Sequence, residues 1–240
     1  MGKLYLTGDI HGWTDISKLY PDKFSEGQSL TKDDFLIILG DFGLIFYPKE
    51  TNYVIKEKKY LDKLNDYPWT TLFICGNHEN FNRLWSDEFP VINDFHSGKV
   101  SKIRDSIFYL HRGEIFDFNN KSFLTLGGAS SIDKIYRKRG FSWWPQEEIT
   151  KEEYEIAMNN LEKRDFEVDY ILSHTAATDY IRDLWLKNLL IDLKKIDQSS
   201  QYLQKIKDKT KYKHWYFGHF HADCETNDYS CLYNKIVRVF

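Results

Sequence analysis

The sequence predicts an α/β protein, and two patterns carry that prediction. Short apolar runs, most of them ended by glycine, have the length and composition of buried strands. Between these runs lie stretches whose apolar residues recur at helical intervals, and strands that alternate with helices suggest a sheet built from βαβ units. No Pro/Gly/Ser-rich linker interrupts the 240 residues, so we expect a single domain over 1–240.

The predicted strands and helices follow one another in a regular order. A threonine N-cap at Thr150 with Glu153 three positions later marks the start of one helix by the capping-box pattern. The predicted strands are 3–8, 35–40, 71–76, 169–174 and 215–219, and the predicted helices are 52–66, 150–164 and two within 178–208.

Two further segments have the short alternating pattern of antiparallel strands. Four such stretches with turn signals between them fill residues 99–127, which predicts an antiparallel meander. Residues 229–240 predict a closing hairpin that turns at Asn234.

Composition excludes several classes of protein. A net charge of −3 argues against coating nucleic acid by bulk electrostatics, although it leaves room for a local basic patch. No apolar run is long enough to cross a membrane, and the N-terminal residues lack a signal-peptide pattern. Three cysteines do not suggest a disulfide framework. We therefore expect a cytoplasmic protein with no membrane association.

Polar side chains that bind metals follow each of five apolar runs. In open α/β sheets, ligands bind beyond the carboxyl ends of the strands, so we expect these side chains to converge on one crevice. They are Asp9 and His11 after the first run, Asp41 after the second, Asn77 and His78 after the third, His174 after the fourth, and His219 and His221 after the fifth.

This donor set indicates a transition-metal site. Carboxylate, amide and imidazole ligands without thiolate suit Mn, Fe, Co, Ni or Zn better than Ca. Two aspartates, one asparagine and four of the histidines make seven ligands, more than one ion usually needs, and a bridging carboxylate such as Asp41 allows two ions to share them. Any one of these residues, taken alone, is more often a turn, cap or core residue, and only their joint occurrence makes the metal interpretation strong.

The order of these motifs resembles the calcineurin-like metallophosphoesterases. The matching segments are GDIHG at 8–12, GD at 40–41, GNHE at 76–79, LSHT around His174, and GHFH at 218–221. The resemblance implies a four-layer sandwich of two mixed β-sheets flanked by helices. It also implies that one metal ion is held by Asp9, His11, Asp41 and His221, and the other by Asp41, Asn77, His174 and His219.

The implied reaction is hydrolysis of a phosphate ester by a water that two cations activate. Asp41 and His78 would be the catalytic residues, with His78 beside the phosphate as a charge-stabilising group or proton donor. We expect two divalent transition-metal ions, with Mn favoured and Fe, Ni, Co or Zn as alternatives. Oligomeric state is left open.

The chain departs from the protein Ser/Thr phosphatases of that superfamily. Those enzymes continue the second motif as GDxxDRG, whereas this chain reads GDFGLIF. The aspartate that orients the catalytic histidine in those enzymes is therefore missing. A phosphoprotein substrate becomes less favoured, and the partner of His78 is left open.

A basic stretch supplies the predicted substrate contacts. Residues 127–148 resemble a segment of small bacterial and phage-type members, and four positive charges fall within 134–139, followed by two tryptophans. Arg137 and Arg139, with Asn77, are the predicted substrate-binding residues, because arginine can clamp a phosphate. The stretch is equally consistent with a solvated helix face.

The favoured function is therefore a dinuclear metal-dependent phosphoesterase that acts on a small phosphodiester or a nucleotide. One alternative is a phosphomonoesterase or a nuclease acting on nucleic-acid ends. An alternative of another class is a non-catalytic binding module that keeps the fold.

Overall fold

A computed structural model describes residues 2–189 and 191–240 of the chain. Thirteen β-strands and five α-helices form its regular structure within these residues. In chain order they are β1 (Leu4–Thr7), β2 (Phe35–Leu39), α1 (Tyr53–Asn65), β3 (Thr70–Ile74), α2 (Phe81–Leu84), β4 (Val91–Phe95), β5 (Gly98–Arg104), β6 (Ile107–Leu110), β7 (Ile115–Phe118), β8 (Lys121–Leu126), α3 (Lys151–Glu162), β9 (Tyr170–Ser173), α4 (Thr178–Leu186), α5 (Gln198–Lys209), β10 (His214–Phe217), β11 (Cys224–Glu225), β12 (Tyr229–Cys231) and β13 (Ile236–Arg238).

The strands form two mixed sheets. The first has the order β13-β1-β2-β3-β6-β5-β4, in which β1, β2, β3 and β6 run parallel and the remaining strands pair antiparallel. The second has the order β11-β12-β10-β9-β8-β7, with β12, β10, β9 and β8 parallel and one antiparallel strand at each edge. Parallel strands need coverage on both faces, which explains their continuous apolar sequences.

Three apolar cores separate four layers. Alternate residues of the first sheet, such as Leu6 and Ile37, pack between the sheets against Phe123 and Leu172 of the second. The opposite face of the first sheet packs on α1, whose Leu61 is buried there. The outer face of the second sheet is covered by α3, α4 and α5. The four-layer sandwich is therefore confirmed.

Two of the antiparallel predictions were wrong. The four strands within 99–127 are not one meander, because β5 and β6 pair in the first sheet whereas β7 and β8 pair in the second. The 229–240 hairpin does not form, because β12 pairs with β10 and β11 in the second sheet while β13 pairs with β1 in the first. In both places the chain crosses between the sheets at a turn that resembles a hairpin turn in sequence.

The predicted helices are confirmed, including the cap of α3. The side chain of Thr150 accepts a hydrogen bond from the backbone N–H of Glu153, and the Glu153 carboxylate accepts the N–H of Thr150. Across the described ranges, the helices are all too short or too polar to cross a lipid bilayer.

Candidate metal centre

The ligand-type side chains converge beyond the ends of five strands. These strands are β1, β2 and β3 of the first sheet and β9 and β10 of the second, so both sheets contribute. The donor atoms fall into two groups, and within each group all of them lie within 4.8 Å of one another. One group is Asp9, His11, Asp41 and His221, and the other is Asp41, His174 and His219.

Asp41 belongs to both groups, and Asn77 lies beside the second. The Asn77 Oδ1 atom is 3.2 Å from His174 Nε2, and Asp41 Oδ1 is also 3.2 Å from that nitrogen. On the other side, Asp41 Oδ2 is 3.3 Å from His11 Nε2. The structure thus brings together all seven residues that the sequence predicted as metal ligands.

Left-handed backbone turns the ligands toward one another. Four of them have positive φ: His11 at 42°, Asp41 at 46°, His219 at 67° and His221 at 50°. This region is sparsely populated by residues other than glycine, and such outliers cluster at functional sites. Each sharp reversal directs a side chain into the space between the strand ends.

Glycines before the ligands allow close approach. A Cβ atom on Gly76 would lie 2.1 Å from Asp41 Oδ1, and one on Gly40 would lie 2.1 Å from His174 Nδ1. Larger residues would therefore displace the ligands themselves. This packing explains Gly40 before Asp41 and Gly76 before Asn77.

Hydrogen bonds orient the imidazoles with one nitrogen toward the centre. His174 Nδ1 is 2.8 Å from the carbonyl oxygen of Leu39, to which it donates, and this leaves Nε2 facing Asp41. His11 Nδ1 is 2.7 Å from the carboxylate of Asp15, and its Nε2 likewise faces Asp41. Metal-binding histidines are commonly held in this way by a carbonyl or carboxylate on the distal nitrogen.

Backbone N–H groups fix the two buried carboxylates. Asp41 Oδ1 accepts the N–H groups of Asn77 and His78 at 2.8 and 2.9 Å. Asp9 Oδ1 accepts the N–H of His219 at 3.0 Å. The carboxylates are thereby held in place before any ligand binds.

The electrostatics of the centre favour a bound cation. Burial disfavours charged carboxylates, yet the neighbouring imidazoles hold the pKa of Asp41 well below its ordinary value and also lower the pKa of Asp9. Conversely, although burial opposes it, Asp41 raises the pKa of both His11 and His174 to about 9. Two buried carboxylates thus require positive charge nearby, which protons on the imidazoles or divalent metal ions can supply. The donor set, its burial and its orientation fit divalent metal ions.

His78 lines a cavity of about 210 Å³ at the candidate metal centre. Asp41, Ser131, Arg137 and His219 also line this cavity. The Arg137 Nη2 atom is 3.4 Å from His78 Nε2, and Arg137 Nε is 2.8 Å from Asp133. Burial, assisted by the charge of Arg137, lowers the pKa of His78 although Asp41 opposes the shift.

Arg139 is placed differently from Arg137. Its side chain is exposed, and the residues described as lining the cavity do not include it. The basic stretch is not a helix face, because only Lys134–Tyr136 form a single 3-10 turn. A role for Arg139 in substrate binding stays a prediction.

Two carboxylates that support the site were missed in the sequence. Asp15 orients His11, and the fully buried Glu79 accepts the N–H groups of Phe42 and Gly76 at 2.7 and 2.8 Å. Burial, with Asp41 nearby, raises the pKa of Glu79 to about 8. Glu79 is the last residue of the quoted GNHE motif, so its position was a signal, whereas nothing in the sequence near Asp15 marks it.

Comparison with known proteins agrees with this geometry. The family model for calcineurin-like phosphoesterases matches residues 2–223. Among similar proteins is a lariat debranching enzyme from Arabidopsis thaliana, 25% identical over 252 residues, an alignment that covers 92% of this chain and 54% of the relative. The chain thus spans about half the length of that relative. The chain therefore belongs to the calcineurin-like phosphoesterase family.

Proposed function

We propose that the chain hydrolyses a phosphodiester in a small molecule or a nucleotide, using two divalent transition-metal ions. The observation that carries this proposal is the pair of ligand groups that share the buried carboxylate of Asp41. In this assignment Asp9, His11, Asp41 and His221 hold one ion, and Asp41, Asn77, His174 and His219 hold the other. Mixed oxygen and nitrogen donors without thiolate favour Mn over Ca.

Bound ions of this kind activate a water and neutralise phosphoryl oxygens. The residues of the chain supply position and charge. Asp41 is held rigidly by two N–H groups, so the separation of the two ligand groups is fixed. Arg137 offers a guanidinium at the cavity, where it can bind a phosphoryl oxygen in a bidentate manner.

His78 is the proposed proton carrier. Its lowered pKa keeps the ring neutral near pH 7, and Arg137 donates toward its Nε2 atom. A neutral imidazole can accept a proton and pass it to a leaving oxygen. Arg137 thus takes the place next to His78 that the sequence left open.

The test replaces Asp41 by asparagine and compares it with a matched variant at the other end of β2. Asp34 is also a buried carboxylate with backbone N–H donors, but it precedes the strand whereas Asp41 follows it. We expect Asp41→Asn to lose at least one metal ion per chain and about a thousandfold or more in turnover of bis(p-nitrophenyl) phosphate with Mn²⁺. Asp34→Asn should keep both the bound metal and the turnover of the wild type.

Elemental analysis and initial rates decide between the outcomes. About two ions per chain in the wild type, with turnover lost in Asp41→Asn alone, supports the proposal. Turnover that survives both metal stripping and Asp41→Asn contradicts it. Faster hydrolysis of p-nitrophenyl phosphate than of the diester would favour the monoesterase alternative.

Nucleic acid is the second candidate substrate. The similarity to a lariat debranching enzyme favours it, because that relative is named for its action on lariats. Branched and linear oligoribonucleotides with the same base sequence, assayed beside the small diesters, measure this preference. Selective cleavage at the branch would replace the small diester as the proposed substrate.

A further inference from the structure

A second cavity opens on the other side of His78 and has aromatic walls. It has a volume of about 260 Å³, and its lining includes His11 and His78 together with Trp13, Phe46 and Tyr47. We call this cavity the Trp13 pocket. Because His11 and His78 belong to the candidate metal centre, a group in the Trp13 pocket can be attached directly to a phosphate at that centre.

The rings of the Trp13 pocket are arranged for stacking. The Trp13 and Tyr47 rings are parallel within 4°, with centroids 5.5 Å apart. Phe46 stands at 90° to Tyr47 with centroids 5.4 Å apart, and Phe46 also lies against the His78 ring at 6.0 Å. Trp13, Phe46 and Tyr47 are all only half-buried. Each ring is therefore partly exposed, although Tyr47 itself stacks on both Trp13 and Tyr53.

A buried polar network holds two of these rings in place. The fully buried carboxylate of Glu57 accepts the N–H groups of Phe46 and Tyr47, both at 2.7 Å. Arg83 Nη1 donates to Glu57 at 2.6 Å and to the carbonyl oxygen of Tyr47 at 2.7 Å. Tyr47 also stacks on Tyr53 of α1, with centroids 4.5 Å apart. The Trp13 pocket is thus formed in advance, which lowers the entropic cost of binding.

The charge around the Trp13 pocket suits an anionic, planar ligand. Among the described residues that line it, none carries a carboxylate. Lys56 Nζ lies over the Trp13 ring, 4.1 Å from its centroid, and brings positive charge to the Trp13 pocket. By contrast, the cavity at Arg137 contains Asp133. The volume lies below the roughly 300 to 1,000 Å³ of pockets for drug-sized ligands, so it suits a single ring system.

We propose that the Trp13 pocket binds the base of a nucleotide whose phosphate lies at the metal centre. The inference rests on the proposed function, because it places the phosphate there. Stacking on aromatic rings tolerates every base, so the Trp13 pocket would select nucleotides as a class over sugar phosphates. Trp13 and Tyr47 are then specificity residues that act on binding rather than on the chemical step.

The experiment compares AMP with ribose 5-phosphate, which has the same phosphate and sugar without the base. Calorimetry on the Mn²⁺-supplemented full chain measures the two affinities, and phosphate release in the same samples detects turnover. We expect the wild type to bind AMP about tenfold or more tightly than ribose 5-phosphate. Trp13→Leu, which keeps an apolar side chain but no ring, and Tyr47→Ala should each bring the ratio to within about threefold of unity. Neither should weaken ribose 5-phosphate.

Trp143 provides the matched control. It is a half-buried tryptophan with Lys134 Nζ 6.0 Å from its ring centroid, but it follows the basic stretch and is not among the described residues that line the Trp13 pocket. Trp143→Ala should keep the wild-type preference for AMP. Circular dichroism of each variant shows that a changed ratio comes from a folded chain.

The outcomes separate this inference from the proposed function. Equal binding of the two ligands by the wild type, or a preference that Trp13→Leu and Tyr47→Ala both retain, overturns the inference. The inference is also overturned if Trp143→Ala loses the preference for AMP while Trp13→Leu and Tyr47→Ala keep it. Hydrolysis of bis(p-nitrophenyl) phosphate is measured independently, so its absence would reject the proposed function while the ratio still decides whether the Trp13 pocket binds a base.

Discussion

Single residues at the candidate centre combine side-chain chemistry with uncommon backbone conformation. The left-handed region of backbone conformation holds four of them, His11, Asp41, His219 and His221. Residues other than glycine seldom adopt this conformation, although histidine and aspartate do so more often than most. Left-handed conformations cost on the order of 1 kcal/mol per residue, which surrounding hydrogen bonds must offset. The N–H groups of Ile10 and His11, which both donate to the carbonyl oxygen of Asp41, are part of that support.

The sequence predicted which residues carry ligand atoms but not what supports them. Strand ends and motif order were enough to predict that the seven candidate ligands and His78 lie together, which the geometry shows. The partners Asp15, Glu79 and Glu57 act through contacts that depend on tertiary structure, and a lone acidic residue in a sequence is usually on the surface. Their roles follow only once the hydrogen-bond donors that they accept from are located, which are the His11 ring for Asp15 and backbone N–H groups for Glu79 and Glu57.

The two neighbouring arginines give a prediction at this scale. Arg137 contacts His78 and lines the cavity, whereas Arg139 is exposed. Arg137→Ala should lower kcat/KM for the best diester by about 10- to 100-fold, because a charged hydrogen-bond donor contributes about 1.5 to 3 kcal/mol. Arg139→Ala should stay within about twofold of the wild type. Steady-state kinetics at several pH values measure both variants.

The pH profile shows how Arg137 acts. If Arg137 lowers the pKa of His78, the acidic limb of kcat/KM should move to higher pH in Arg137→Ala, because the ring then keeps its proton to higher pH. A drop in activity with an unshifted profile would leave Arg137 as a phosphate ligand only. Equal effects of the two substitutions would contradict the assignment of the cavity.

At the scale of elements, local signals were reliable for helices and unreliable for strand partners. The cap of α3 is encoded by residues three apart, so its start could be identified from sequence alone. The pairing of β6, β7, β12 and β13 depends on which sheet each strand joins. An alternating pattern with a turn is the same whether the next strand pairs with its neighbour or crosses to the other sheet. The meander and the hairpin were predicted wrongly for this reason.

The cap of α3 gives the prediction at this scale. Thr150→Ala removes the side-chain acceptor for the N–H of Glu153 and should lower the free energy of unfolding by about 1 kcal/mol. Thr150→Ser keeps the acceptor and should lie within about 0.5 kcal/mol of the wild type. Urea unfolding of the metal-free chain measures both.

The cap of α3 is connected to the buried side chain of Arg112, because both contact the Glu153 carboxylate. Its Nη1 atom donates to the Glu153 carboxylate at 2.9 Å, and its Nη2 atom donates to the carbonyl oxygens of Gln146 and Glu147. Losing the cap therefore also loosens an anchor for buried Arg112. A loss in Thr150→Ser as large as that in Thr150→Ala would show that the hydroxyl bond is not the cause.

At the scale of the whole molecule, the candidate centre joins the two sheets. Its ligands come from the ends of strands in both, so bound cations would cross-link the first sheet to the second. A ligand that binds only the folded chain stabilises it by about 2.7 kcal/mol at a hundredfold excess over its Kd. Metal binding should therefore be visible as thermal stability without any assay of activity.

The prediction is a rise in Tm with metal. Mn²⁺ at about a hundredfold excess over Kd should raise the Tm of the EDTA-treated chain by about 5 to 10 °C. Asp34→Asn should show the same rise in Tm. In Asp41→Asn the rise in Tm should be much smaller, because this variant lacks the shared carboxylate. Thermal scans by circular dichroism with EDTA and with Mn²⁺ measure the difference. An equal rise in all three chains would indicate binding elsewhere on the surface.

The pairing of β13 with β1 has a consequence for biosynthesis. β1 has β2 on one side and β13 on the other, and these partners lie at opposite ends of the sequence. A ribosome releases β1 and β2 early, but the second edge of β1 has no partner until residues 236–238 emerge. A nascent chain would thus carry an open strand edge while residues 40–235 are translated, and an unpaired edge of this kind promotes aggregation.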